Sequence, residues 1–131
     1  MSTLAVATIK SASSAAPVFQ NSSGVEKGQL VKAWCNMDCQ NTPSFRDSFN
    51  FSSITDHGTG DFELSFTTAM ANANYAVSGS NVGATSNSFS TIFGGDNSAL
   101  ATGSVRFRTP PMSNAITQQD TNFIHCVIHG D

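Results

Sequence analysis

Charge is what this chain has least of: Asp, Glu, Lys and Arg supply 11% of its 131 residues, against roughly 25% in ordinary globular domains. Its six Lys and Arg are scattered and the formal net charge is −3. The clustered cations that neutralise a phosphate backbone are lacking, so no nucleic-acid partner is expected. No apolar run approaches the ~18–20 residues of a membrane-spanning helix, so no membrane insertion is expected. Met1 to Ala16 has Lys10 as its one cation and no compact apolar segment, a poor match to a secretory leader. Synthesis and assembly in the cytoplasm follow as expectations. The three cysteines, Cys35, Cys39 and Cys126, do not make an even disulfide framework. Free thiols in a reducing cytosol are the simplest reading, and a Cys35–Cys39 bridge stays open for an extracellular setting.

A sustained 3.6-residue pattern is also missing, and only Thr67 to Asn74 has the composition for a single helical turn or a loop. Short strand signals stand in its place, at 30–36, 45–52, 61–67, 74–79, 88–94, 103–109 and 122–129, separated by Gly, Asn, Asp, Ser and Pro clusters. Phe62, Leu64 and Phe66 alternate with Glu63, Ser65 and Thr67, which buries one face and wets the other. Phe45, Phe49 and Phe51 have a similar spacing, and Val105 and Phe107 alternate with Arg106 and Arg108. Asp56 to Asp61 reads as a hairpin turn whose glycines supply positive φ. The expectation is an all-β chain, an antiparallel β-sandwich or jelly-roll-like domain over residues 32–131. Residues 1–31, interrupted by Pro17, read as an N-terminal arm for docking or oligomerisation. Ten Phe and one Trp supply the core at about 25 cal/mol per Å² buried. Trp34, Phe49, Phe51, Phe62, Leu64, Phe66, Tyr75, Val77, Val105, Phe107, Ile124 and Val127 are the expected core.

Catalytic and metal chemistry find little support in the spacing. Cys35 and Cys39 with His57, His125 or Cys126 lack the second matched pair of a tetrahedral zinc site. On a strand the two cysteines share a face about 13 Å apart, so only a turn at Asp38 would join them. No Gly-x-Ser-x-Gly elbow accompanies the Ser, His and Asp residues, and the few carboxylates fall mostly in turns. The Gly-rich stretch at Asp56–Asp61 lacks the Gly-Lys-Ser/Thr ending of a phosphate loop. No enzyme activity, cofactor or metal is expected. Trp34 and Tyr75 offer aromatic faces that suit sugar rings, although core or subunit-interface roles are commoner for such residues.

From Lys32 to Val77 an ordered set of motifs stands out: Ala33-Trp34, Arg46 to Asn50, Ser52 to Asp61 (Ser-Ser-Ile-Thr-Asp-His-Gly-Thr-Gly-Asp), Phe66 to Met70 and Asn74-Tyr75. Met1 to Ile9, with Ala at positions 5 and 7, adds an opening of the same kind. The chain thus resembles small tail-fibre and virion-surface proteins of tailed bacteriophages, especially phages of cyanobacteria and other aquatic bacteria. In that family the positions of Cys35 and Cys39 usually carry Val and Gly or Thr. The resemblance implies a virion structural protein, assembled in host cytoplasm: a short tail-fibre subunit or fibre tip contributing to host-surface attachment. A capsid decoration or cement protein of the same fold is the alternative, and a free carbohydrate-binding module a third reading.

A neutral Ser/Thr/Asn/Gln surface suits hydrogen bonding to host surface glycans. The polar loops 80–88 and 94–103 supply candidate receptor contacts at Asn81, Ser86, Asn87, Ser88, Asp96 and Asn97. Leu4, Val6, Ile9, Val18 and Phe19 have no obvious place in a small sandwich. They are candidates for docking to other virion proteins (tail, baseplate or capsid) or for building a homo-oligomer, expected to be a trimer.

Overall fold

The computed structural model describes residues 4–11, 17–83, 89–91, 93–94, 100–109 and 120–130. The chain divides between Leu30 and Val31 into two units. In the first, β1 (Phe19–Gln20) and β2 (Glu26–Gly28) pair antiparallel around a turn organised by Asn21. The Asn21 side-chain oxygen accepts hydrogen bonds from the backbone N–H groups of Ser23 and Val25 at 3.0 and 2.9 Å, the usual way an Asn closes a local turn. Pro17 is half-buried, and every other described residue of this unit is exposed.

The second unit is all-β and sandwich-like, with no helix among the described residues. Its strands are β3 (Ala33–Asp38), β4 (Ser44–Phe49), β5 (Phe51–Gly58), β6 (Asp61–Phe66), β7 (Ala76–Gly83), β8 (Phe89–Thr91), β9 (Phe93–Gly94), β10 (Ser104–Arg108) and β11 (Thr121–His129). One sheet has the order β4-β3-β11-β7-β8, the other β5-β6-β10-β9, and every pairing is antiparallel. A single apolar cluster draws on both sheets: Ala33, Cys35, Met37, Ile124, Cys126 and Ile128 from one, Phe51, Phe62, Leu64, Phe66, Val105 and Phe107 from the other.

The alternation on β6 and β10 is as the sequence implies: Phe62, Leu64 and Phe66 point inward opposite Phe107 and Val105, with Glu63 and Arg106 on the other face. The hairpin between β5 and β6 turns on Thr59 and Gly60, with Gly58 paired to Asp61. Gly58 and Gly60 have φ of 122° and 67°, a region that a Cβ disfavours. Tyr75 is buried as expected, its ring edge-on to Phe66. Its hydroxyl shares its proton between the carbonyl oxygens of Ala101 and Ser104 at 3.0 and 2.9 Å. Gly130 packs against the Tyr75 backbone, where a Cβ would lie 2.7 Å from Tyr75 Cα.

Three of the expected core residues are placed elsewhere. Trp34 and Val127 are half-buried on the outer face of the five-stranded sheet, and Phe49 is 53% exposed there. The inner face of β3 and β11 is instead built by Ala33, Cys35 and Met37 paired with Ile128, Cys126 and Ile124. A β-bulge at Arg46 shifts the β3–β4 register, so that Met37 faces Phe45 whereas Trp34 faces Phe49. One extra residue reverses the side on which the later side chains emerge. Val77 is half-buried but still packs on the core.

Asn50 makes the corner where the chain leaves one sheet for the other. It adopts a φ of 60°, which Asn tolerates better than other non-glycine residues. Its Nδ2 donates to the carbonyl oxygens of Lys32 and Thr68 at 3.0 and 3.1 Å, and its Oδ1 accepts from Thr68 N–H at 2.7 Å. The Thr67 N–H donates to the Asn50 carbonyl oxygen at 3.0 Å.

Candidate functional site

Three surfaces and one buried cluster hold the chemistry of the molecule. The first surface is the outer face of the four-stranded sheet, where alternation brings Asp61 and Glu63 of β6 beside Ser104, Arg106 and Arg108 of β10. The Asp61 carboxylate accepts a fork from Arg106, Nε at 2.7 Å and Nη2 at 2.9 Å, and a third bond from Arg108 Nε at 3.0 Å. The Arg106 bonds, aided by Arg108, hold the Asp61 carboxyl below its ordinary range against the opposing effect of burial. Glu63 accepts from the Ser104 hydroxyl at 2.7 Å and lies 2.9 Å from Nε2 of His57. Those two contacts, Ser104 first, hold its carboxyl low as well. Charge here is matched to charge over short distances, which leaves a compact, mutually satisfied network.

The second surface is the outer face of the five-stranded sheet, and its register sets up parallel rows of side chains. Phe49, Trp34, Val127 and Ser78 are successive cross-strand partners, and so are Asp47, Asn36, His125 and Ser80. An aromatic and aliphatic row therefore lies beside a polar row, one pleat repeat or roughly 7 Å away. Next along the strands, the Arg46 guanidinium sits 4.5 Å from the centroid of Phe123, a cation–π geometry. The side-chain oxygen of Asn36 is shielded from solvent and has no hydrogen-bond partner. Sequence reasoning raised Trp34 as a sugar-facing ring but paired it with Tyr75, which is buried, and it missed the rows on this face because it placed Trp34 and Phe49 in the core.

The third surface is the N-terminal unit. Leu4, Val6, Ile9, Val18 and Phe19 are all exposed, from 44% for Phe19 to 79% for Leu4, and Val25 and Leu30 extend the series at 51% and 44%. The five residues singled out from sequence thus lie in one unit and offer their apolar surface to whatever covers them. Of the candidate receptor-contact residues, Asn81 alone lies among the described residues. Asn81 lies in β7, paired with Ile124, and is fully buried with neither amide atom hydrogen-bonded, so it is an interior residue and no loop contact. Ser86, Asn87, Ser88, Asp96 and Asn97 lie outside the described residues.

The buried cluster consists of the thiols. Cys35 and Cys126 are directly opposed across β3 and β11 on the inner face, and all three cysteines are free and buried. The hydrogen bond with Cys126 and then burial push the Cys35 thiol far above its ordinary range. Burial pushes the Cys39 thiol up to about 12, with the Thr121 hydroxyl beside it opposing the shift. β3 runs without a turn through Asp38, and the Cys39 N–H donates to the Asn122 carbonyl oxygen at 3.1 Å. Cys35 and Cys39 accordingly meet different neighbours and form no bridge. Among the described residues, no group of three or more His, Cys, Asp or Glu is placed to hold a metal, and there is no helix long and apolar enough to cross a membrane.

In comparisons with protein-family models, curated proteins and solved structures, nothing matches this chain.

Proposed function

We propose that this chain is a structural subunit of a tailed-bacteriophage particle, a short tail fibre or fibre tip that works as a homotrimer in host-surface attachment. The observation that carries the reading is the series of exposed apolar side chains from Leu4 to Leu30. Leaving so much apolar surface in water forgoes about 25 cal/mol per Å², a pattern that marks surfaces made for protein contact. The sandwich-like unit, with its charge-poor sequence, supplies the outward-facing part. The motifs from Ala33 to Tyr75 support the phage setting by resemblance. Three copies on one axis would convert weak single contacts with a surface glycan into useful avidity. No catalytic step, cofactor or metal has a role in this reading.

A capsid decoration protein is the second reading, since the exposed apolar series from Leu4 to Leu30 would equally suit contact with capsid subunits. Purified particles distinguish the two. Quantitative mass spectrometry with gold-labelled antibody imaging is expected to find a handful of copies at the tail. Hundreds of copies on the head would establish the decoration reading, and deleting residues 2–20 would then make heads fragile to heat or osmotic shock. Absence of the chain from particles overturns both.

A further inference from the structure

We infer that the outer face of the five-stranded sheet is a glycan-binding platform, with Trp34 and Phe49 as its stacking surface and Asn36, His125 and Asp47 as its hydrogen-bonding row. The inference deepens the attachment reading and rests on it for the source of the ligand. The ligand class follows from how the two rows are arranged.

A sugar ring presents C–H groups on its faces and hydroxyls around its rim. Phe49 and Trp34 are direct cross-strand partners, which puts both side chains on the same face of the sheet. Val127 continues the row on β11. Asp47, Asn36 and His125 flank it in register, one pleat repeat away. A carboxylate accepts, an amide does both, and a neutral imidazole offers one donor and one acceptor. This set suits hydroxyl groups, which are themselves donors and acceptors. A single Arg, held over Phe123, adds little electrostatic selection, as a neutral ligand requires.

Two further observations point the same way. Phe49 is 53% exposed on an edge strand of the sheet, and a ring so placed contributes little to the fold that would explain it. In the middle of the polar row, the Asn36 side-chain oxygen lacks a donor, which native structures rarely tolerate without a reason. After a rotation of the amide, a ligand hydroxyl over the row would supply that donor. The charged face of the other sheet offers no such opening, since Asp61 and Glu63 are already occupied by Arg106, Arg108, Ser104 and His57.

Trp34 is the one tryptophan of the chain, so its fluorescence reports this face alone. The test titrates the full chain with cellohexaose, mannohexaose and the polysaccharide released from bacterial lipopolysaccharide by mild acid. A saturable change in Trp34 emission is expected with at least one of them. Phe49→Ala should weaken that binding by about tenfold or more, the loss of one stacking contact, and Asp61→Asn on the opposite sheet should leave it unchanged. No saturable change with any of the three, or equal affinity in Phe49→Ala, overturns the inference. So does acrylamide quenching of Trp34 that falls as protein concentration rises, because a second copy would then cover the face. Failure of the attachment reading shows differently, as absence of the chain from purified particles, and would leave a positive titration standing.

Discussion

The outer faces of the two sheets carry different chemistry on the same scaffold. On the four-stranded sheet, Asp61, Glu63, Arg106 and Arg108 close on one another and on Ser104 and His57. On the five-stranded sheet, Phe49 is exposed and Trp34 half-buried beside Asn36 and His125. A face whose polar groups are mutually satisfied stabilises the fold and has little left to offer a ligand. A face with an exposed ring gives up burial in the isolated chain, and that pattern belongs to contact. Asp61, Glu63, Arg106 and Arg108 lie together in that network, while the binding role proposed for the other face rests on its aromatic rings with Asn36, His125 and Asp47.

The largest effect is expected beneath both faces. Leu64 is fully buried in the core shared by the sheets, and Leu64→Ala should cost about 2–5 kcal/mol by cavity formation. Chemical denaturation checks this, and a loss under ~1 kcal/mol would show that the sheets do not share a close-packed interior. The same core shields Cys35, Cys39 and Cys126. Burial keeps reagents from all three, and the raised pKa values of Cys35 and Cys39 disfavour their thiolates at neutral pH, so a thiol reagent should modify none until the chain unfolds.

Next comes the corner between the sheets. Asn50→Ala removes three side-chain hydrogen bonds from a residue at positive φ. A loss of about 2–3 kcal/mol follows from roughly 1 kcal/mol per bond, while Asn50→Gly, which restores the backbone freedom alone, should recover part of it. Equal stability of the two variants would show that the left-handed conformation carries no cost.

Smaller again is the charged face. Asp61→Asn should cost about 1–2 kcal/mol at pH 7, since the arginines it leaves keep some access to water. Asp61 and Glu63 have folded pKa values depressed below 3.8 and 4.5. The stability they contribute is therefore present above about pH 4.5 and lost as pH falls through the depressed values. Thermal melts from pH 7 to pH 2 should show a smaller acid-induced drop in Asp61→Asn than in the parent chain. Phe49→Ala is the smallest, at under about 1 kcal/mol for an exposed ring. A larger loss would mean that the open face is part of the fold, and the contrast between the sheets would disappear.

Much of the scaffold was legible in sequence, because strict alternation on β6 and β10 leaves one apolar face each. The errors came where size outweighed period. In β3 the apolar set with consistent spacing is Ala33, Cys35 and Met37, yet the large Trp34 was assigned inward. Ile124 and Val127 are three residues apart on β11 and so cannot share a face. Phe45 and Phe49 have matching parity, but the bulge at Arg46 separates their sides, and nothing in the local sequence announces a bulge there. The exposed series from Leu4 to Phe19 was legible because a chain of this size has limited interior. The paired rows on the outer face were not, since they are created by cross-strand register between segments far apart in sequence.

Hydroxyl-radical footprinting of the chain in purified particles and free in solution tests the central claim most directly, that the N-terminal unit docks while the aromatic face stays outward. Leu4, Val6 and Ile9 should react in the free chain and be protected in particles, while Trp34 and Phe49 react in both. Protection of Trp34 and Phe49 with a reactive N-terminal segment would contradict it, making the aromatic face the docking surface.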